Sequence, residues 1–253
     1  MGLPVDLIVL VTTAAYVVVG LVVGVRLLRL ARRTRGFPEL VLGLAETLLA
    51  GVVPPMFIVT QAVSVPGVVR ASAFLGHLAY TAGCAVMILF TWRVFRPSEG
   101  WARVLVHLAL AVLCLGGLLQ MAHAFLAPGI TELRDPQTTG FLVMEWVSLA
   151  GFVWTALEAF AYHAQMRKRR ALGLVDPVVA NRILLWAVVG LGGIVAAGAP
   201  VTASLFGLSV ATNVPSRLVC AFATVVSSVA IQLAFLPPAF YLRWLRGSEP
   251  AAA

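Results

Sequence analysis

The chain alternates between long apolar stretches and short polar gaps. Each of seven stretches is close to or above the roughly 20 apolar residues that a membrane helix needs. The pattern therefore predicts an all-α polytopic membrane protein with a bundle of seven transmembrane helices. The predicted spans run approximately over residues 6–26, 38–61, 71–93, 101–126, 140–164, 178–203 and 216–242.

The basic residues are distributed unevenly between the gaps. Fifteen of the 18 Lys and Arg residues lie in alternate gaps and in the tail, whereas the intervening gaps hold only Arg70, Arg134 and Arg217. An excess of Lys and Arg in short loops marks the cytoplasmic side of a membrane protein. The sequence thus predicts an external N-terminus and an internal C-terminus. The fifteen are Arg26, Arg29, Arg32, Arg33, Arg35, Arg93, Arg96, Arg103, Arg167, Lys168, Arg169, Arg170, Arg182, Arg243 and Arg246.

Composition supports a membrane protein with a single domain. The chain is 61% hydrophobic and 11% charged, whereas soluble domains carry about 25% charged residues. Seven spans with short loops occupy nearly all of residues 1–253, so we expect no separate soluble domain. The net charge of +8 is explained by topology and by anionic lipid headgroups, and nucleic acid is not a predicted partner. The first stretch, Leu7 to Val25, lacks a preceding basic region and is predicted to be a retained helix rather than a signal peptide.

Prolines and acidic residues indicate where helices begin and bend. Asp176-Pro177 supplies an N-cap followed by proline, and Pro38-Glu39 places proline and an acid in a first turn. Proline inside a helix removes a backbone hydrogen bond and bends the helix. We therefore expect bends at Pro54-Pro55 in the outer half of the second span, at Pro200 in the sixth, and at Pro237-Pro238 near the inner end of the seventh.

Polar residues form stripes on several predicted helices, since residues three, four and seven apart share a helix face. Such stripes must turn away from lipid, so the bundle is expected to enclose a partly polar interior. The first span is almost wholly apolar and is predicted to be peripheral. The stripes comprise Glu39, Gly43, Glu46 and Ala50; His77, Thr81, Cys84 and Thr91; Gly116, Gln120 and His123; Gly151, Trp154, Glu158 and Tyr162; and Cys220, Thr224, Ser227 and Ser228.

Four polar residues are predicted to lie within about two turns of the outer face: His77, Gln120, His123 and Glu145. Three interpretations stay open at this level. They could be interfacial groups bonded to one another and to water, or a ligand-binding or proton-responsive site. Two imidazoles and a carboxylate could also hold a metal such as zinc, although the spacing is not diagnostic.

A second, inner layer is predicted from Glu46, His107 and Glu158. A carboxylate within a membrane costs about 2.5–3.5 kcal/mol on insertion scales, so each should be protonated, paired or hydrated. Arg35, Arg182 or His107 are the expected partners of Glu46 or Glu158. The alternatives are a structural ion-pair clasp and a proton-coupled switch.

Several function classes are excluded by residues that the sequence lacks. The only lysine, Lys168, lies in a gap, so a retinal Schiff base within the bundle is impossible. The chain has no phosphate-binding G-x-x-x-x-G-K-[ST] or G-x-G-x-x-G motif, and no H-E-x-x-H or G-x-S-x-G. Seven-helix zinc hydrolases of the ceramidase and progestin-receptor type have a late H-x-x-x-H, but the seventh stretch contains no histidine. Cys84, Cys114 and Cys220 lie inside apolar stretches without C-x-x-C spacing and are predicted to be small buried side chains.

The topology, the arginine-rich first loop and the closing run from Leu233 to Arg246 (LAFLPPAFYLRWLR) resemble the seven-helix input regions of bacterial membrane sensors. In that family the last helix leads into a cytoplasmic signalling domain. Only Gly247 to Ala253 follow the run here, so the output is expected to be a separate protein. The resemblance transfers no ligand-binding residue.

The sequence therefore predicts a non-enzymatic sensor or small-ligand-binding protein that signals through a separate partner at its basic inner loops. A proton-coupled or small-solute transporter is the alternative, followed by an intramembrane metal-dependent enzyme. No cofactor is predicted, and whether a metal binds stays open. The abundance of Arg, Ala, Val and Gly is typical of GC-rich bacterial genomes and predicts a bacterial inner-membrane location.

Overall fold

The computed structural model describes residues 3–134, 138–208 and 213–247, and the regular structure in these ranges is helical. Seven segments of helix are long and apolar enough to cross a membrane. The chain is therefore a multi-pass membrane protein. The elements are α1 (Leu3–Thr34), α2 (Phe37–Glu46), a π-helical turn (Thr47–Val52), α3 (Val53–Ala62), α4 (Pro66–Phe95), α5 (Gly100–Leu126), α6 (Ile130–Arg134), α7 (Thr139–Ala171), α8 (Pro177–Leu205), α9 (Val214–Phe235) and α10 (Ala239–Gly247).

The seven predicted spans are confirmed as apolar helices. The first, third, fourth, fifth, sixth and seventh are α1, α4, α5, α7, α8 and α9. The second comprises α2, the π-helical turn and α3. Short α6 lies in the connection between the fourth and fifth spans, where the sequence predicts a loop.

The spans form a closed ring. Each packs against its neighbours in the chain, and α1 also packs against α9, so that the first and last spans meet. In addition α4 contacts α7 directly. The span between them in the chain, α5, therefore packs on the outside of this pair. Of the seven spans, α1 is the least buried, as predicted, but it closes the ring between α2 and α9 and is therefore not peripheral to the bundle.

The second span changes its helical geometry where the sequence predicts a bend. Pro54 and Pro55 have no backbone N–H, so the carbonyls four residues earlier have no α-helical donor. Immediately before them the chain widens into the π-helical turn, and the N–H of Val53 bonds to the carbonyl of Leu48, five residues back. Such turns occur frequently at functional sites, and this one directly follows Glu46.

The helix starts predicted at Asp176-Pro177 and Pro38-Glu39 are confirmed. Asp176 Oδ1 accepts a hydrogen bond of 2.7 Å from the N–H of Val178, and Glu39 lies in the first turn of α2. The predicted end of the seventh span is wrong, because α9 stops at Phe235 rather than near residue 242. Proline disfavours helical conformation at the preceding residue and cannot donate a bond itself. Pro237-Pro238 therefore ends the span instead of bending it, and α10 is a separate amphipathic helix.

Most basic residues lie at one end of the bundle, among them Arg26, Arg96 and Arg182. We call this the basic end. There Arg182 Nε donates to the carbonyl of Ala234 at 3.0 Å, joining the start of α8 to the end of α9. At the opposite end, Arg217 Nη2 lies 2.5 Å from Asp6 Oδ1 and joins the starts of α9 and α1. The partition of charges seen in the sequence is thus a partition between the two ends of the fold.

The three cysteines do not share one environment. Cys84 is buried as predicted and Cys220 is partly buried, but Cys114 is exposed on α5. The prediction for Cys114 is wrong because an apolar stretch in a membrane helix need not face the core. In a span that packs at the outside of the ring, half of such a stretch faces lipid.

Candidate functional site

A cavity of about 190 Å³ lies inside the ring and is lined by six of the seven spans, all except α5. Its polar wall combines acids, phenols and hydroxyls, and its apolar wall includes Met87, Phe152 and Trp186. No Lys or Arg is among its lining residues. The polar lining residues are Tyr16, Glu46, Tyr80, Glu145, Thr224 and Ser227. We call this space the central cavity.

Glu46 reaches the central cavity from the last position of α2. Its neighbours on the same helix face are small, and they allow α1 to approach closely: a Cβ on Gly43 would lie 3.0 Å from the backbone nitrogen of Leu28. Glu46 itself is only 6% exposed. Within the described parts of the chain, its carboxyl group has no hydrogen-bond or ion-pair partner. A carboxylate that is buried without a partner is costly, so this group needs a proton, water or a cationic ligand.

Glu145 reaches the same cavity from α7 and is 5% exposed. The hydroxyl of Tyr80 donates a hydrogen bond of 2.9 Å to its Oε2 atom. This bond leaves acceptor positions on both carboxylate oxygens open, since an ionised carboxylate offers about four. The cavity therefore contains one carboxyl group with a single tyrosine partner and one with none.

Small residues of α8 open the space on the side opposite α2. Gly192 and Gly193 line the cavity, and a Cβ on Gly192 would lie 3.4 Å from the carbonyl oxygen of Ala223 on α9. Two residues nearer the basic end, a Cβ on Gly190 would lie 3.1 Å from the backbone of Ala156. The glycines thus bring α8 close to α7 and α9, as small residues do at membrane helix interfaces.

The structure divides the predicted outer layer. The side-chain nitrogens Nε2 of His77 and Nε2 of Gln120 lie 3.4 Å apart, and Thr138 Oγ1 donates to the amide oxygen of Gln120. His123 Nε2 lies 3.2 Å from the carbonyl oxygen of Glu132. Glu145 instead bonds to Tyr80 and lines the central cavity. The four predicted residues therefore do not form one group, and the contacts instead form a cluster of His77, Gln120 and Thr138.

The Nδ1 atom of His77 is buried and has no hydrogen-bond partner, and the imidazole packs edge-on against Phe57 with ring centroids 5.1 Å apart. Among the described residues, no three His, Cys, Asp or Glu side chains are grouped so that they could hold a metal ion. The geometry of this cluster therefore fits a polar brace between α4 and α5 better than a metal site.

The predicted inner layer is divided as well. Glu158 pairs with Arg96, whose Nε lies 2.8 Å from Oε1, and the indole N–H of Trp154 donates to the same oxygen at 3.2 Å. The hydrogen bond and the charge of Glu158 raise the pKa of the Arg96 guanidinium. None of the expected partners (Arg35, Arg182 and His107) makes this contact, and Glu158 lies in an ion-pair clasp at the basic end rather than beside Glu46.

His107 is placed wrongly by the sequence prediction. It is exposed on the outer side of α5, where Nδ1 lies 2.6 Å from the carbonyl oxygen of Arg103 and the ring packs edge-on against Trp92. The helix face that carries His107 turns away from the interior. His107 is therefore not part of the central cavity.

Tyr16 is a cavity residue that the sequence did not predict, because the first span is almost wholly apolar. A signal was present: Tyr16, Gly20 and Gly24 are spaced four apart and so share one face of α1. A Cβ on Gly20 would overlap Ala50, so this face packs tightly against the second span. A tyrosine at the same face necessarily points toward the bundle interior.

Comparison with protein-family models, with curated proteins and with solved structures found no match to this chain.

Proposed function

We propose that this protein is a non-enzymatic membrane sensor that binds a small cationic molecule, such as a primary amine, in the central cavity. The observation that carries the proposal is the pair Glu46 and Glu145 in one cavity whose lining has no Lys or Arg. Two carboxyl groups in such a space favour an occupant that brings positive charge. An ammonium group supplies one charge and up to three hydrogen-bond donors.

The remaining lining suits such a ligand. The faces of Tyr16, Tyr80 and Trp186 can attract a cation through their ring electrons, and Met87 and Phe152 can cover a short alkyl group. Ligand pockets usually measure about 300–1,000 Å³, so a cavity of about 190 Å³ selects a ligand of only a few heavy atoms.

The second span provides the link from ligand to signal. Glu46 is followed directly by the π-helical turn and by Pro54-Pro55, where regular helical hydrogen bonding is interrupted. A ligand that neutralises Glu46 changes the balance between two packings of this turn. Because α2 begins at the basic end, its movement reaches the loop at Arg35-Gly36. A separate signalling protein reads that loop on the cytoplasmic side of a bacterial inner membrane.

A proton-coupled transporter is the second candidate, and the interrupted second span favours it. In many transporters, broken helices line the substrate site near the membrane centre. The same two carboxyl groups could then release protons in exchange for substrate. Flux of the ligand or of protons across liposomes would distinguish transport from sensing, since a sensor binds its ligand without moving it.

The test measures melting temperature of the purified protein in detergent with methylammonium and propylammonium. Methanol and propanol serve as uncharged analogues. A ligand of the native state raises stability by about 2.7 kcal/mol at 100 times its dissociation constant, so the ammonium ions should raise the melting temperature saturably and the alcohols should not.

Glu46→Gln and Glu145→Gln should each abolish this rise, because glutamine keeps the shape but cannot carry the charge. Glu99→Gln is the matched control, since Glu99 is exposed in a loop outside the cavity. An equal response to alcohols, or an undiminished response in both cavity variants, would contradict the proposed function.

A further inference from the structure

A second cavity, of about 320 Å³, lies at the basic end between α1, α2, α4, α8 and α9. Its rim carries Arg26, Arg182 and Glu39. The rest of its lining is aromatic and aliphatic and includes Leu27, Leu42, Phe90, Val94, Phe95, Ile183, Trp186 and Phe235. The cavity is thus charged at its mouth and apolar inside, and we call it the rim cavity.

The rim has unused capacity for an anion. Arg26 makes no hydrogen bond or ion pair with any described residue. Arg182 uses Nε for the carbonyl of Ala234, and a guanidinium carries five N–H donors, so its outer donors are available. Glu39 is the single acid among the lining residues, and it forms no ion pair with either arginine in the described structure. The mouth therefore carries excess positive charge.

A path leads to this mouth from the outer face of α1. There Leu21, Val22 and Val25 form an apolar groove that ends at Arg26, Arg29 and Arg33. Arg26 and Leu30 belong to both the groove and the rim cavity. An acyl chain lying along the outer face of α1 would therefore reach the mouth of the rim cavity.

The wall also contains an unsatisfied donor. Trp186 is 4% exposed, and its indole N–H has no hydrogen-bond partner. Trp186 lies one helical turn deeper than Arg182 on the same helix face. In a phospholipid the ester oxygens lie just below the phosphate, so an ester oxygen is the expected acceptor for a donor that lies one turn deeper than Arg182.

We propose that the rim cavity binds an anionic phospholipid, with its phosphate at Arg26 and Arg182, an ester oxygen near Trp186, and an acyl chain among the aromatic side chains. Basic pockets between membrane helices are suited to acidic lipid headgroups. Arginine in particular can hold a phosphate through two parallel hydrogen bonds. The rim cavity shares Trp186 with the central cavity, but Arg26 and Arg182 line only the rim cavity, and the proposal does not depend on the function proposed for the central cavity.

The test is native mass spectrometry of the full chain in detergent, titrated with phosphatidylglycerol and with phosphatidylcholine of the same acyl chains. Phosphatidylglycerol should bind at least tenfold more tightly. Arg26→Gln and Arg182→Gln should each weaken its binding about five- to tenfold. Arg167→Gln should have no effect, because Arg167 is exposed in the last turns of α7 and lies outside the rim cavity.

Two further variants separate binding from folding. Val94→Trp fills the cavity without changing the charge and should reduce phosphatidylglycerol binding about tenfold. Trp186→Phe removes only the indole donor and the extra ring and should reduce it two- to fivefold. Both should retain the wild-type circular dichroism spectrum and elution volume.

Competition identifies the headgroup source. Neither inorganic phosphate nor oleate should displace phosphatidylglycerol at equal concentration. Displacement by phosphate alone would reduce the site to an anion site, and displacement by oleate would overturn the assignment to a phospholipid. Equal affinity for the two lipids, or unchanged binding in both Arg26→Gln and Val94→Trp, would overturn the proposal altogether.

Discussion

Arg96 and Glu158 join the end of the third span to the fifth through a contact of 2.8 Å at the basic end. The acid is nearly buried and the base is not: their side chains are 11% and 40% exposed. Trp154, one turn earlier on α7, donates to the same carboxylate oxygen. The sequence placed Glu158 inside the membrane, but its carboxylate is held by Arg96 from the loop after the third span. The pair forms a structural clasp and is not part of the central cavity.

The clasp should be measurable as a coupling between the two side chains. Because 40% of Arg96 is exposed, water screens the pair, and we expect a coupling energy of only about 0.5–1 kcal/mol. A double-mutant cycle of Arg96→Gln and Glu158→Gln measures this energy when the free energy of unfolding is determined for each purified variant. Arg103→Gln removes the same charge from an exposed neighbouring position and should show no coupling to Glu158. Additive effects of the Arg96 and Glu158 substitutions would contradict the clasp.

A second prediction concerns Arg70, which closes the end of α5. Its guanidinium donates to the carbonyls of Ala124, Phe125 and Ala127 at 3.1, 2.8 and 2.7 Å. The last carbonyls of a helix lack partners within the helix, and a cation there also complements the helix dipole. Arg70→Gln should therefore lower the free energy of unfolding by about 1–3 kcal/mol.

Arg70→Lys provides the graded control in the same unfolding measurement. Lysine keeps the charge but cannot present the planar fork that reaches three carbonyls, so it should recover part of the loss. Equal stability of Arg70→Gln and the wild-type protein would show that water satisfies these carbonyls as well as arginine does.

The close approach of the first span to the second gives a third prediction. A Cβ at Gly20 would overlap Ala50, whereas a Cβ at Gly67 would meet no atom within 4 Å. Gly20→Ala should lower the free energy of unfolding by about 1–3 kcal/mol through overpacking. Gly67→Ala should change it by less than about 1 kcal/mol, in the stabilising direction, because alanine favours helix. Melting temperatures of the two variants provide the comparison, and equal melting temperatures would show that α1 can move away without cost.

Most of the fold was predictable because lipid imposes simple constraints on a chain. Backbone groups must be satisfied within each segment, so apolar length alone identified the seven spans. The end of the seventh was misplaced because Pro237-Pro238 can either bend a helix or stop it, and sequence hydrophobicity continues past Phe235 into α10. The π-helical turn before Pro54-Pro55 was not predicted either, since a double proline specifies a break but not its geometry.

The candidate site was predicted less well because the position of a residue along its helix gives its depth but not the direction in which its side chain points. Glu46 and Glu145 were assigned to different layers, but long side chains and uncertain span ends allow residues a turn apart in height to line the same cavity. For His107 the error lay in its direction around the helix. Its face differed from that of Gln120 in the sequence pattern, and the structure shows that this difference matters more than depth.

The last prediction concerns orientation, which the positions of the arginines indicate. The structure brings Arg26 and Arg182 to one end of the bundle, and places Asp6 with Arg217 at the other. Because the Lys/Arg excess in short loops faces the cytoplasm, we expect the basic end inside. Green fluorescent protein fused after Arg246 should fluoresce, and alkaline phosphatase fused there should be inactive. Fusions after Gly129, near the connection that contains α6, should give the reverse.

A fusion between Arg35 and Gly36 is the internal control and should match the result at Arg246, since both positions lie at the basic end. Phosphatase activity after Arg246, or fluorescence after Gly129, would invert the map and move the proposed lipid site to the other leaflet.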